Sequence, residues 1–379
     1  MPDDGLRLRL MVTAGLTVAG VGAALAMLLY VIGRAAGQRL LSPVGGLRPG
    51  LPGVAVVGAF GLLAAFNLAI AVVHQVLIAV GFYRAVYGAD FPTIIPPDPT
   101  GSQKAAQTVQ FLWAAAFTFP FQLAAIIALV RRFHLPNPFP ARQWRMNVAA
   151  GYLTWLIVTP AAFAVFVLAV TVHLRLTNLP PEKHPLTELG DAVGPLEWGL
   201  FVLQTVIIAP VLEEWLFRGM VLGWLARSRP TPPGVGPLRR SWLVTASAAA
   251  LATALAWRSR PVDLAQAFAA DWAGTAATYL VPGLFLLLFI PVEEVLVRMH
   301  RFRRHLRLRS PQQVRAIVAS SALFAGFHAG VWPSPVPLVV LAIGLGYLYL
   351  RTRSLVGPIV VHGMFNAVSA TYLLIGGPP

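Results

Sequence analysis

The chain has 379 residues, length enough for two or three soluble domains, yet 57% of them are hydrophobic and only 11% charged, under half the charged share of an ordinary globular domain. That balance excludes a string of water-facing domains and a disordered chain, and 33 Gly with 32 Pro following no three-residue period exclude collagen. The formal charge of +15 comes with no cysteine at all, which excludes disulfides, Cys-ligated zinc, iron–sulfur clusters and thiol nucleophiles.

Such a composition reads as an all-α protein, a polytopic transmembrane helical bundle. A helix crossing the hydrocarbon layer needs about 20 mainly apolar residues, and about ten stretches meet that requirement. In chain order they are 10–32, 53–86, 105–130, 148–172, 196–225, 241–257, 275–292, 314–331, 336–350 and 356–375. The first ends at Arg34 without a small-residue cleavage site, so it reads as an anchor rather than a signal peptide. The second is long enough to tilt or break, the sixth and ninth are short, and the seventh carries Pro282 and Pro291.

The connections alternate in charge. Basic ones hold Arg34, Arg39 and Arg48; Arg131, Arg132, Arg142 and Arg145; Arg227, Arg229, Arg239 and Arg240; Arg301, Arg303, Arg304, Arg307 and Arg309; and Arg351 with Arg353. Those between are neutral or acidic, with Asp90 and Asp98, then Glu182, Glu188, Asp191 and Glu197, then Asp263 and Asp271. Short cytoplasmic loops collect Lys and Arg, which places the basic loops in the cytoplasm and both termini outside, Asp3 and Asp4 offsetting Arg7 and Arg9. The reading is a multi-pass protein of the cytoplasmic (plasma) membrane. Membrane orientation accounts for the basic clusters, so no nucleic-acid partner is implied, and the run Arg301–Arg309 reads further as an anionic-lipid contact.

Ionisable groups inside spans are costly and mark function by default. The fifth span reads Ala209-Pro210-Val211-Leu212-Glu213-Glu214-Trp215-Leu216-Phe217-Arg218-Gly219. Four-residue spacing puts Glu214 and Arg218 on one face, while Glu213 points about 100° away. Two close carboxylates resist ionising together in a low dielectric unless a cation offsets them, an arrangement suited to a general base. The eighth span contains Phe324-Ala325-Gly326-Phe327-His328 and the tenth His362-Gly363-Met364-Phe365-Asn366. A lone histidine in a bundle is more often a packing residue, and His74 of the second span is read so. Carboxylates, two histidines and an amide on three spans form a rarer set. It matches hydrolysis, with a carboxylate and His to activate water and His with Asn to bind an oxyanion.

At these residues the sequence resembles the CPBP family of intramembrane proteases, also called the CAAX-processing or ABI family. Its three motifs, Glu-Glu-x-x-x-Arg, Phe-x-x-x-His and His-x-x-x-Asn, occur here in order as Glu213, Glu214 and Arg218, then Phe324 and His328, then His362 and Asn366. The likeness covers roughly 148–375 and leaves the first three spans outside. The resemblance implies an endopeptidase with its site open to the cytoplasmic side. Glu213, Glu214 and His328 would activate water, and His362 and Asn366 would hold the tetrahedral intermediate. Family members are commonly labelled metalloproteases. Two His with carboxylates are competent zinc ligands, whereas a glutamate base needs no metal and no His-Glu-x-x-His helix is present. The reading adopted is metal-free, with zinc as the alternative cofactor.

The stretch from Glu214 to His328 is longer than the family's usual few tens of residues. A second Glu-Glu-x-x-x-Arg, Glu293, Glu294 and Arg298, stands at the ordinary distance. Glu294 is one turn from the dense basic run, which predicts an interfacial, readily solvated position, and this copy lacks the Phe-Arg-Gly ending of the first. The first copy is therefore preferred. Residues 1–142 then form an N-terminal set of three spans without assigned function, and 143–379 a protease-like domain with an inserted helical pair at 241–292. The expected partners are the bilayer and a membrane-associated protein or peptide substrate, prenylated or not. Proton-coupled transport and a catalytically silent membrane scaffold are the alternatives, since intramembrane carboxylates and histidines also serve carriers.

Overall fold

A computed structural model describes residues 52–96, 101–132, 144–177, 194–226, 239–259, 272–306, 308 and 310–374, with scattered positions between 21 and 32. Most of the first predicted span lies outside the described residues. So do Asp3, Asp4, Arg7, Arg9, Arg34, Arg39, Arg48, Asp98, Arg142, Glu182, Glu188, Asp191, Arg227, Arg229, Asp263, Asp271, Arg307 and Arg309.

The described residues are almost entirely helical, with no strand among them. The helices are α1 (Gly53–Ala79), α2 (Phe82–Tyr87), α3 (Gly101–Arg132), α4 (Trp144–Thr177), α5 (Pro195–Ala226), α6 (Arg240–Ser259), α7 (Trp272–Leu287), α8 (Phe289–Arg298), α9 (His300–His305), α10 (Pro311–Phe327), α11 (Pro335–Thr352) and α12 (Val356–Leu374). The long second stretch does break. Gly81, at φ +72°, takes the left-handed conformation that glycine adopts without a Cβ clash and so separates α1 from α2.

Six helices among the described residues are long and apolar enough to cross a membrane: Gly53–Ala79, Gln103–Arg132, Trp144–Arg175, Pro195–Ala226, Tyr279–Arg298 and Pro335–Thr352. Of the ten expected spans, three correspond to α6, α10 and α12, which fall short of this measure, and the first lies mostly outside the described residues. Helix α10 shows the physical reason. It is 17 residues long and every position from Gln313 to Gly326 except Arg315 is buried, so protein surrounds it on nearly all sides. A helix without a lipid-facing stripe tolerates Arg315, Ser320 and Ser321, and need not be uniformly apolar. Its start is fixed by a capping box, in which Ser310 and Gln313 satisfy each other's backbone N–H groups and Pro311 occupies the first turn.

The chain divides into two compact units. Unit 1 takes in residues 1–51, 138–182 and 217–362. In it α10 packs against α6, α8, α11 and the last turn of α5, α6 packs on α7, and α11 packs on α4. Unit 2 takes in residues 52–137, 183–216 and 363–379. There α3 packs against α1 and the first turns of α5, around Leu112, Phe201 and Ala370.

Small residues let helices approach closely where no hydrophobic force separates protein from lipid. Helix α6 is built on Ala248, Ala249 and Ala252, all buried. A Cβ on Gly326 of α10 would come within 2.8 Å of the Ala248 carbonyl, and one on Gly283 of α7 within 2.9 Å of the Ala249 carbonyl. The pair at 241–292, expected as an insertion, thus supplies the wall against which α10 rests.

Candidate active site

Helix α5 is not uniform. Leu203–Ile208 and Trp215–Leu222 are π-helical, and the six α-helical residues Ala209–Glu214 lie between them. Widened turns of this kind recur at functional sites, because they displace side chains from the regular helical register. Glu213 and Glu214 close the α-helical piece. Glu214 is fully buried and Glu213 partly so. Both belong to unit 2, whereas Arg218 belongs to unit 1.

Within unit 1 three of the predicted residues gather on one ring. Phe324 is fully buried. The Arg218 guanidinium lies 4.5 Å from its centroid, the His328 ring 4.8 Å and the His362 ring 5.7 Å. Phe217 meets Phe324 edge-on at 5.2 Å and Phe327 at 5.5 Å. An aromatic face is electron-rich and its edge electron-poor. The cation over Phe324 and the T-shaped approach of His362, at 78° between planes, both satisfy that quadrupole. The phenylalanine of the second motif is therefore the hub that sets the spacing of Arg218, His328 and His362.

His328 caps the end of α10, and its Nδ1 donates to the Phe324 carbonyl at 2.8 Å. A carbonyl only accepts, so Nδ1 carries the proton of this bond and Nε2 is the nitrogen turned away from it. His362 is buried, 3% exposed, and the next residue, Gly363, already belongs to unit 2. A Cβ there would lie 2.6 Å from the Val206 carbonyl. Asn366, in unit 2, donates through Nδ2 to the Thr205 carbonyl at 2.8 Å. That carbonyl belongs to the π-helical segment, and the second Nδ2–H of Asn366 remains a donor of its own.

The second Glu-Glu pair has different company. Glu293 is fully buried and accepts from Ser241 Oγ at 2.8 Å, with Arg315 Nε at 3.2 Å. Glu294 pairs with Arg239 in a short contact and with Arg315 at 3.5 Å. Its side chain is 20% exposed, whereas its neighbour Glu293 is closed off from solvent. Arg315 stands thirteen residues before His328, about 20 Å along α10. This pair is thus an ion network at the opposite end of the helix that carries His328. Ser241 and Arg315 went unnoticed in the sequence, since nothing local distinguishes a serine or arginine that will face a distant carboxylate.

The sequence marks two histidines and two carboxylates as competent zinc ligands, but among the described residues no three His, Cys, Asp or Glu side chains gather closely enough to hold a metal ion. His74, read as a packing residue, lies against Tyr83, its Nδ1 3.3 Å from the phenol oxygen.

With the described residues almost wholly helical and six apolar helices of membrane-crossing length among them, the chain is an integral membrane protein. A family model described as Type II CAAX prenyl endopeptidase Rce1-like matches residues 195–286 and 275–368. Over 195–368 the chain is thus similar to a protease family, the CAAX-protease family that the three motifs resemble. The two matched stretches begin equally far ahead of Glu213 and of Glu293, so each Glu-Glu pair occupies the same place in its match. No curated protein and no solved structure matches the chain.

Proposed function

We propose that the protein is an intramembrane endopeptidase of the CAAX-processing type, which hydrolyses peptide bonds of membrane-associated protein or peptide substrates without a metal. The observation that carries the reading is the convergence of Arg218, His328 and His362 on Phe324. Packing alone gives no reason for a cation and two imidazoles to share one buried ring.

In this reading Glu214, one helical turn before Arg218, is the carboxylate that answers that arginine, and Glu213 faces the substrate side. A cation–π contact contributes about 2 kcal/mol when desolvated, less than the several kcal/mol that burying a guanidinium costs, so the arginine needs a carboxylate as well. Water gives a proton to the glutamate, assisted by the lone pair on His328 Nε2, and its oxygen bonds to the scissile carbonyl carbon. His362 and the second N–H of Asn366 donate to the oxyanion that forms. Collapse breaks the carbon–nitrogen bond, and the proton passes from the glutamate to the departing amine. The first three spans have no part in this chemistry.

Comparing membrane peptides from cells carrying the native chain with those carrying Glu214→Gln tests the reading. Specific fragments that vanish in the variant, with their precursors accumulating, support it and name the substrate. Identical peptide sets in both would refute it.

A further inference from the structure

The structure points to a second site, 20 residues and more from any motif residue of α10, at the cytoplasmic end of α11. Arg351 stands in the last turn of α11 and is 3% exposed. Its Nη1 donates to the Leu306 carbonyl at 3.2 Å and to the Tyr347 hydroxyl at 3.3 Å, and its guanidinium lies 5.8 Å from the Tyr347 ring. Tyr347 in turn donates to the same Leu306 carbonyl at 3.2 Å. Arg303, three residues before Leu306, is 8% exposed and donates in a short contact to His300 Nδ1. Both arginines keep a buried Nε–H with no acceptor, and among the described residues neither meets a carboxylate.

Two buried guanidinium groups, one bonded to the Leu306 carbonyl and the other borne three residues before Leu306, with unused N–H groups and no carboxylate partner among the described residues, form an unbalanced positive charge that a low dielectric makes strongly unfavourable. The chain has few anions to offer, since its 29 Lys and Arg outnumber 14 Asp and Glu. The missing group must bring several acceptor oxygens and negative charge together, which is the chemistry of a phosphate, and guanidinium forks match it. Its source follows from place. Arg351 ends the membrane-length helix Pro335–Thr352 on the side of the basic loops, where lipid headgroups of the anionic cytoplasmic leaflet stand. We propose that Arg303 and Arg351 bind the phosphate of an anionic phospholipid, which ties α9 to α11.

The full chain, purified in a neutral detergent, is given phosphatidylglycerol, phosphatidylcholine or inorganic phosphate. Lipid retention is read by native mass spectrometry and thermal unfolding by fluorescence. Phosphatidylglycerol should be retained in preference to phosphatidylcholine and raise the unfolding temperature, while inorganic phosphate should do neither. Arg303→Gln and Arg351→Gln should each weaken retention about tenfold, whereas Arg298→Gln, an exposed arginine of the same basic stretch, should leave it unchanged. Equal losses in Arg298→Gln and Arg351→Gln would mean diffuse charge attraction and overturn the site. Equal protection by inorganic phosphate would overturn the lipid as its source. If either glutamine variant fails to fold, the wild-type preference between the two lipids still decides, since no preference refutes the proposal.

Discussion

The guanidinium of Arg218 sits 4.5 Å over the ring of Phe324, with both residues almost wholly buried. The first motif is thereby bound to the second through an aromatic face rather than through an ion pair alone. Replacing Arg218 by Lys keeps the charge but loses the planar group that stacks on the ring. Arg218→Lys should therefore lower cleavage at least tenfold and the folding free energy by about 1–2 kcal/mol. Measuring both in detergent checks this; full activity in the lysine variant would show that charge alone suffices.

On the proposed reading Glu293 and Glu294 serve architecture. Arg239, Arg315 and Ser241 satisfy them at the far end of α10 from His328. Removing one member of a buried ion pair leaves its partner uncompensated, at a cost of about 3–5 kcal/mol. Glu293→Ala should lower the unfolding temperature sharply, and Arg315→Ala added to it should cost little more. Additive losses in that double-mutant cycle would show that the two residues act independently.

Gly326 lies inside the second motif but does its work on the opposite face of α10 from the chemistry. A Cβ there would meet the Ala248 carbonyl at 2.8 Å, and a backbone atom of a packed helix cannot move aside cheaply. Gly326→Val should destabilise the protein by about 1–3 kcal/mol and reduce cleavage by displacing His328. An unchanged melting curve would show that α6 does not rest on α10 so closely.

Outside the spans, Tyr83 of α2 is fully buried and donates to the Gln110 carbonyl at 3.1 Å. Burial pushes its hydroxyl up to about 12, and Tyr87 is raised for the same reason, its hydrogen bond to Glu197 adding to the effect. A raised folded-state value means that the neutral form is favoured in the native protein. The stabilisation is complete below pH about 10, the unfolded tyrosine value, and disappears as pH rises through about 12. Thermal unfolding followed across that window should fall more steeply for the native chain than for Tyr83→Phe, although the variant starts lower for want of its hydrogen bond. Parallel slopes would contradict this.

Helix positions were legible because apolar runs and Gly81 declare themselves locally. The three motif spacings likewise placed Arg218, His328 and His362 in one neighbourhood. Helices α6 and α10 were harder. Apolar content cannot separate a helix that touches lipid from one enclosed by protein, and here Ser320, Ser321 and Arg315 are tolerated because other helices surround them. The π-helical turns of α5 were invisible, since no residue type encodes a widened turn. Glu293 shows the deeper limit. Its Glu-Glu-x-x-x-Arg spacing repeats that of Glu213, and nothing in the sequence announced the partners, Ser241 and Arg315, that meet it.

The most direct test compares Glu214→Gln, His328→Gln and Glu294→Gln in reconstituted vesicles, scored for cleavage of a membrane-tethered peptide and for folding. The account predicts that the first two abolish cleavage while remaining folded, and that Glu294→Gln cleaves at close to the native rate with reduced stability. Cleavage that survives Glu214→Gln but disappears in a folded Glu294→Gln protein would contradict it.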